Sequence, residues 1–292
     1  MGKTSRQFKL PDGRELGYDE HGPPSGRPVL LFHGTPGSRY GWHLFGTEAL
    51  ARRLNTRVIS PDRPGVGLSD FQPGRRISDW PADVVALADG LGLGRFAVLG
   101  YSGGGPYALA CALQIPEHLS AASIVGGAGP YDALAATAGV AQSIVLLARL
   151  AHDRPQSAEM VLGLLGALTQ RAPDWLIAQA MAVLPQPDRQ LLERPRLRKG
   201  LIATFREAVR QGPHGVSVDM ALMAGPWGFD PSAVAMPVRI WHGEADRFAS
   251  AAMARNLAHA LPQGQARLYP GEGHLSILVN YREEILSELA NA

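Results

Sequence analysis

The stretch LGYSGGGPYALA (99–110) places one serine, Ser102, among four glycines directly after an apolar run. Residues 96–100 (FAVLG) have the pattern of a buried strand, and residues 103–114 have that of a helix that tolerates Pro106 in its first turn. Because so tight a turn brings its neighbours close together, the positions two before and two after the serine must be small, and Gly100 and Gly104 occupy them. Such a turn exposes the hydroxyl and aims the first free N–H groups of the helix at the same space. The stretch therefore predicts a serine held out as a nucleophile.

The rest of the chain alternates similar apolar runs with helical patterns. The runs lack polar alternation, which is typical of strands covered on both faces in a parallel sheet. They lie at 29–32, 58–60, 96–100, 121–126, 238–241 and 266–269. Helices are predicted at 47–54, 78–91, 103–114, 251–261 and 275–290. The alternation predicts an α/β fold with a doubly wound sheet.

The alternation breaks over residues 130–215, which are rich in Ala, Leu and Met, contain five prolines between 155 and 195, and show no strand pattern. The segment is too long for a loop and poor in core residues for an independent domain. We expect a helical cap at 130–215, inserted into a core domain formed by 1–129 and 216–292. The basic residues at 194–210 are interrupted by Glu207, so we expect them to form a solvated helix face rather than a clamp for anions.

Composition narrows the range of partners and cofactors. With 292 residues, 46% hydrophobic and 18% charged, the chain can bury a sizeable core. Its net charge of +2 is scattered, which argues against nucleic acid or an anionic membrane as a partner. The chain has no apolar run long enough to span a membrane, residues 1–13 do not resemble a signal sequence, and Cys111 is the only cysteine. We expect a cytoplasmic protein with no disulfide, no cofactor and no metal, since the nine histidines lack ligand spacing.

Four parts of the chain resemble the α/β-hydrolase family in the family's order. They are LLFHGTPGSR (30–39), SPDRPGVGLSD (60–70), LGYSGGG (99–105), and WHGEADRF (241–248) with YPGEGHL (269–275). The resemblance implies a mostly parallel eight-stranded sheet flanked by helices, with the cap inserted. It also implies a catalytic triad in the order serine, acid, histidine, which falls on Ser102, Asp246 and His274.

The chemistry of these residues agrees with the resemblance. A serine hydroxyl is barely nucleophilic at pH 7 and needs a base such as His274, which an acid holds in the productive tautomer. Glu244 in the same loop and Asp132 after the 121–126 strand pattern are alternative acids. The resemblance places the two oxyanion-hole donors at the backbone N–H groups of Thr35 and Gly103.

The remaining motif residues are assigned to structure and to the pocket. His33, His242 and the turn DRPGVGLSD (62–70) are predicted to stabilise the site rather than react. Apolar side chains near the motifs are candidates to line a substrate pocket, although each would also suit the core. They are Tyr101, Trp42, Trp227, Phe248 and Leu275, with Met220 and Met223.

The expected function is cleavage of a small to medium apolar carboxylic ester or lactone through an acyl-enzyme intermediate. Three alternatives stay open: a carbon–carbon bond hydrolase, lyase or cyclase; an aminopeptidase similar to proline iminopeptidases; and a non-catalytic binding protein. The aminopeptidase relatives usually read HGGPG where this chain has HGTPG (33–37). Epoxide and haloalkane hydrolases are disfavoured because they need Asp where Ser102 stands. The sequence leaves the oligomeric state open.

Overall fold

The computed structural model describes residues 5–129 and 137–292 and contains one eight-stranded sheet with the strand order β1-β2-β4-β3-β5-β6-β7-β8. The strands are β1 (Ser5–Lys9), β2 (Glu15–His21), β3 (Arg27–Phe32), β4 (Thr56–Pro61), β5 (Phe96–Tyr101), β6 (Leu119–Val125), β7 (Val238–Gly243) and β8 (Gly264–Tyr269). Strands β3 to β8 pair in parallel, whereas β1–β2 and β2–β4 are antiparallel. The mostly parallel sheet confirms the predicted fold class.

The sheet is covered on both faces, as its apolar strands predict. Leu30 and Phe32 of β3 point into one hydrophobic cluster and Val29 and Leu31 into another, since successive side chains of a strand alternate between faces. Helices α3 (Trp80–Gly90), α4 (Gly105–Gln114) and α11 (Ala251–Ala260) contribute to the first cluster. Helices α1 (Trp42–Phe45), α2 (Glu48–Arg53) and α12 (His274–Ala290) contribute to the second. All five helices predicted from the sequence are therefore present.

The N-terminal hairpin was not among the predicted strand runs. Strand β1 lies at the edge of the sheet and is largely exposed, so its sequence SRQFK carries no apolar run. A turn containing Gly13, whose φ is +91°, joins it to β2.

Between β6 and β7 the described residues form helices and no strand. These helices are α5 (Gln142–Asp153), α6 (Pro155–Arg171), α7 (Pro173–Val183), α8 (Gln186–Leu192), α9 (Pro195–Ala208) and α10 (His214–Ala224). The expected boundary between 215 and 216 falls inside α10, which packs against α5 and α6. The division into a core domain and a cap remains a proposal, and we use "the cap" for α5 to α9. None of the helices in the described ranges combines the length and the apolarity needed to cross a bilayer.

Candidate active site

Ser102 stands at the turn between β5 and α4 with a φ of +51°, a conformation that non-glycine residues rarely adopt. The glycines around it are required by close contacts. A Cβ at Gly100 would lie 2.5 Å from the carbonyl oxygen of Gly104, and a Cβ at Gly104 would lie 2.2 Å from that of Phe32. The backbone is thus packed too tightly for any side chain at these two positions, as the motif predicted.

His274 and Asp246 form a buried hydrogen-bonded pair. The Nδ1 of His274, the first residue of α12, lies 2.7 Å from Oδ2 of Asp246 in the loop after β7. The other oxygen of Asp246 accepts the backbone N–H groups of Phe248 (2.8 Å) and Ala249 (3.1 Å). These bonds fix the orientation of the carboxylate, and the carboxylate in turn fixes the ring. The pair is arranged to hold a proton on Nδ1 and to leave Nε2 free to act as a base.

Two opposing effects set the proton affinity of His274. Burial, the largest, disfavours the charged imidazolium, but the charge and hydrogen bond of Asp246 outweigh it with help from Asp188, so the pKa of His274 is raised above its ordinary value. The ring also packs between the rings of Tyr101 and Phe248, with centroids 5.1 and 5.0 Å away. His274 therefore has an increased proton affinity, although its ring is packed against aromatic side chains.

The two alternative acids are placed differently. Glu244 is exposed and faces Arg255 at 3.6 Å. Asp132 lies outside the described residues. Asp246 is the acid that the structure brings to His274.

Ser102 and His274 line one cavity, which encloses about 170 Å³. Residues 33–37, here called the candidate oxyanion loop, border the same space. Thr35 lines the cavity, and a Cβ at Gly103 would lie 2.6 Å from Thr35 Oγ1, so the two proposed donor residues face each other. Gly34 approaches the serine closely as well, because a Cβ there would lie 3.2 Å from Ser102 Cβ.

His33 and His242, for which the sequence predicts structural roles, are buried and hydrogen-bonded. The Nδ1 of His33 lies 2.8 Å from the carbonyl oxygen of Gly34, and its Nε2 accepts the backbone N–H of Arg63 at 3.2 Å. Complete burial, followed by the charge of Arg63, lowers the pKa of His33 to about 3. His242 Nε2 lies 2.9 Å from the carbonyl oxygen of Ala249, and burial lowers its pKa too. Both rings are therefore neutral hydrogen-bonding groups at pH 7.

The turn at 62–70 is hydrogen-bonded to residues that border the candidate site. Asp62 is buried and accepts the backbone N–H (2.6 Å) and Nη1 (2.7 Å) of Arg39 together with the backbone N–H of Leu68. Arg63 reaches the candidate oxyanion loop, where it donates to the carbonyl oxygen of Gly34 (3.1 Å) and to Thr35 Oγ1 (2.8 Å). These contacts agree with a structural role for the turn.

The predicted pocket residues divide into two groups. Tyr101, Phe248 and Leu275 line the cavity. Trp42 and Trp227 do not, which corrects the expectation. Trp42 is buried against Phe45 and His21, and Trp227 packs against Phe229 in the cluster on the opposite face of the sheet from Trp42. An apolar residue near a motif is buried in either case, so the sequence does not reveal which buried side chains face the cavity.

Met220 and Met223 belong to a further buried cluster that includes Val66 and Ala151. Neither is among the lining residues, although Met223 Sδ would lie 2.5 Å from a Cβ at Gly103. The cap supplies lining residues that no motif indicated. They are Ala180, Leu184, Leu201, Thr204 and Phe205.

One group of possible metal ligands is present although the sequence showed no ligand spacing. Asp19, His21 and His43 bring one ligand atom each to within 4.8 Å of one another. The same carboxylate of Asp19 already faces Arg39, whose Nε lies 3.4 Å away, and accepts a hydrogen bond from Ser5. That carboxylate thus already belongs to a buried ion-pair network, in which Arg39 also faces Asp62 and Glu207. This group is separate from the cavity of Ser102, whose lining includes none of the three residues.

Comparisons with known proteins identify the family of this fold. A family model described as the alpha/beta hydrolase fold matches residues 27–281. The chain is 34% identical over 158 residues to a 2-hydroxymuconate semialdehyde hydrolase from Pseudomonas putida, which is 49% of this chain and 56% of that protein. It is 29% identical over 261 residues to a magnesium-chelatase 30 kDa subunit from Rhodobacter capsulatus, with 87% and 82% covered. The chain thus spans about half the length of the first of these relatives.

Solved structures share the fold over the whole chain. An esterase from Rhodococcus sp. ECU1013 superposes with a TM-score of 0.67 at 22% identity, covering 99% of this chain and 98% of that one. At this identity the likeness concerns the fold alone. Because the family match spans residues 27–281, the chain belongs to the α/β-hydrolase fold family.

Proposed function

We propose that this protein is a serine hydrolase that cleaves a small to medium apolar carboxylic ester or lactone through an acyl-enzyme. The observation that carries the proposal is the 2.7 Å bond between Asp246 and His274 beside the cavity that Ser102 lines. A serine with positive φ, an oriented base and a shared apolar space are the parts that nucleophilic acyl transfer needs.

In the proposed mechanism, Ser102 Oγ attacks the carbonyl carbon while His274 Nε2 takes the hydroxyl proton. The negative charge that develops on the carbonyl oxygen is stabilised by the backbone N–H groups of Thr35 and Gly103. The tetrahedral intermediate collapses, the C–O bond to the alcohol breaks, and His274 returns the proton to that alcohol. Water then repeats the attack with His274 as base, which releases the carboxylic acid and restores Ser102.

The cavity suggests the substrate class. Its described lining is almost entirely apolar and includes Leu184, Leu201 and Phe205 from the cap. Its volume of about 170 Å³ is close to that of an apolar cavity that holds a benzene-sized molecule. We therefore expect a short or compact acyl group, of the size of butanoyl to benzoyl, to fit best.

A carbon–carbon bond hydrolase is the second candidate, and the relative from Pseudomonas putida is named for the hydrolysis of a muconate semialdehyde. A muconate semialdehyde carries a carboxylate, which a buried site would pair with a cation. The described lining contains no Lys or Arg, and residues 130–136 have none in their sequence. This favours a neutral ester over such an acid.

An aminopeptidase would need an anion for the free ammonium group of its substrate. The described lining contains no Asp or Glu, although Asp132 lies outside the described residues, and Thr35 stands where those enzymes usually have glycine. A pure binding protein would have no need of the oriented Asp246–His274 pair. Both readings are weaker than the esterase, and the experiment below separates them.

The test follows p-nitrophenol release from esters of acetate, butanoate, hexanoate and octanoate, with wild type and Ser102→Ala in parallel. We expect turnover by wild type with a preference for the short esters, and a loss of at least about a thousandfold in kcat for the variant. Labelling of Ser102 by a fluorophosphonate is measured on the same samples. Labelling without ester turnover would replace the esterase by carbon–carbon or peptide chemistry. If neither labelling nor turnover is observed, the protein is a binding protein instead.

A further inference from the structure

Asp188 lies in cap helix α8, far from the sequence motifs. Its carboxylate is nevertheless buried next to His274, the proposed base of the candidate site. Its Oδ2 accepts the backbone N–H of His274 at 2.8 Å, and its Oδ1 accepts those of Leu275 (3.1 Å) and Ser276 (2.8 Å). The side chain is completely shielded from solvent. One carboxylate thus satisfies three successive N–H groups at the start of α12.

These three groups would otherwise have no partner, because the first N–H groups of a helix lack an acceptor within it. Most helices use the residue before the first turn as the cap, but here that residue is Gly273, which has no side chain. A Cβ on Gly273 would lie 2.5 to 2.6 Å from the carboxylate of Asp188. The glycine therefore leaves the space that an acid from the cap fills.

Apolar contacts hold the two helices together beside this bond. Leu191 and Leu192 of α8 border the same small space as Leu275 and Val279 of α12. The buried carboxylate and the leucines next to it fasten the cap to the helix that begins at His274. Movement of α8 away from α12 would break all three hydrogen bonds at once.

The negative charge of Asp188 also affects the electrostatic potential at His274. The N-terminus of a helix carries the equivalent of about half a positive charge, which opposes formation of imidazolium on the residue placed there. The titratable groups near His274 are Asp246, Tyr101, His242 and Asp188. Of these, Asp246 and Asp188 are the two carboxyl groups, and Asp188 is the one that accepts the backbone N–H groups at the helix start.

We propose that Asp188 is a positioning residue for His274. It fixes the first turn of α12 and offsets the positive charge of the helix end beside the imidazole. It also connects the cap to the helix that carries His274. The proposal deepens the function proposed above and rests on His274 being the base of that reaction. Its electrostatic part agrees with the influence of Asp188 on the pKa of His274, which that carboxylate raises.

The test compares wild type with Asp188→Asn, Asp188→Ala and Thr47→Ala. Asn keeps the size and one acceptor of Asp188 but removes the charge, and Ala removes both. Thr47 is the matched control, because its side chain caps α2 through the backbone N–H of Leu50 and does not line the cavity. The imidazole titration of His274 is followed by NMR on protein with labelled histidine, assigned with His274→Ala, and thermal unfolding is measured on each protein.

We expect His274 in Asp188→Asn to become half protonated at a pH about one unit lower than in wild type, and in Asp188→Ala at least as low. Thr47→Ala should unfold at a lower temperature with an unchanged His274 titration. If Asp188→Ala does not fold, Asp188→Asn alone supplies the readout. An identical titration in all folded variants would reduce Asp188 to an ordinary helix cap and overturn the proposal.

Neither readout requires turnover. A shifted titration in a protein that cleaves no ester and takes no fluorophosphonate would keep the role of Asp188 toward the imidazole and reject the esterase. If the protein cleaves esters and the pH profile of kcat/KM is the same in wild type and Asp188→Asn, the esterase is kept and the role of Asp188 is rejected.

Discussion

Arg63 and Asp219 form a buried ion pair beneath the candidate oxyanion loop, with Nε of the arginine 2.7 Å from Oδ2 of the aspartate. The other oxygen of Asp219 accepts Arg75 Nη2 at 2.5 Å and Tyr107 Oη at 2.9 Å. Arg63 in turn holds the loop at Thr35, so an acid on α10 positions a loop 184 residues earlier. With two arginines and one aspartate, this network leaves a net positive charge below the place where the oxyanion would form.

Asp219→Asn should destabilise the protein and impair the site together. Because both guanidinium groups would lose a buried counter-ion, we expect unfolding to become easier by about 3 to 5 kcal/mol, measured by urea denaturation. We also expect kcat to fall, since Arg63 would no longer hold Thr35. Asp83→Asn is the control: Asp83 is buried and pairs with Arg14 at 2.7 Å, but away from the cavity. Full activity in Asp219→Asn would contradict the link to the loop.

The neutral, buried His33 should make stability depend on pH. Its folded pKa of about 3 lies below that of an unfolded histidine, about 6.5, so the unfolded state takes up a proton between these values. The contribution of His33 is complete above pH 6.5 and is lost as the pH falls toward 3. His33→Gln keeps hydrogen-bonding groups without a titration. We expect the stability loss from pH 7 to pH 4.5 to be smaller in the variant by roughly 2 kcal/mol, and equal losses would rule this out.

Local motifs explain what the sequence could predict. The serine turn depends on Gly100 and Gly104 within five residues, and the strand before it is a continuous apolar run, so both were visible in one stretch. The family resemblance placed the acid at Asp246 and the base at His274, and the structure brings these two side chains together. Chemistry that is confined to a short segment, or to strand ends at the same sheet edge, can be read from the chain.

Contacts set by three-dimensional packing could not be predicted in this way. Asp188 lies 86 residues before His274 in a helix without a motif, and nothing in its neighbours marks it as buried. Trp42 and Trp227 show the same limit for the pocket, because an apolar side chain satisfies the core and a cavity wall equally well. The edge strand β1 was missed since exposure removes the apolar signal.

Gly104 should tolerate no side chain. A Cβ there would meet the carbonyl oxygen of Phe32 in the central strand β3, which cannot shift without disturbing the sheet. We expect Gly104→Ala to lower the free energy of unfolding by about 1 to 3 kcal/mol or more. Gly94→Ala is the matched control, because a Cβ at Gly94 meets nothing within 4 Å. The two variants are compared by urea denaturation, and similar midpoints would refute the steric explanation.

Asp246→Asn should remove most of the activity without unfolding the protein. The amide cannot stabilise the imidazolium, and it favours the tautomer that leaves Nε2 protonated, so we expect kcat to fall by about three to four orders of magnitude. Glu244→Gln is the control in the same loop, since Glu244 is exposed and faces Arg255. It should keep kcat within about twofold of wild type. The opposite ranking of the two variants would transfer the role of the acid to Glu244.

The cap should set the length of acyl chain that the protein accepts. Ala180 of α7 lines the cavity, so Ala180→Phe fills space that a longer acyl chain would need. We expect kcat/KM for octanoate relative to acetate to fall by at least about tenfold, since one or more methylene groups would no longer fit. Phe205→Ala enlarges the same cavity from α9 and should raise the ratio. Leu164→Ala, at an exposed position of α6 away from the lining, should leave the ratio unchanged. Equal ratios in all three variants would mean that the acyl group binds outside this cavity.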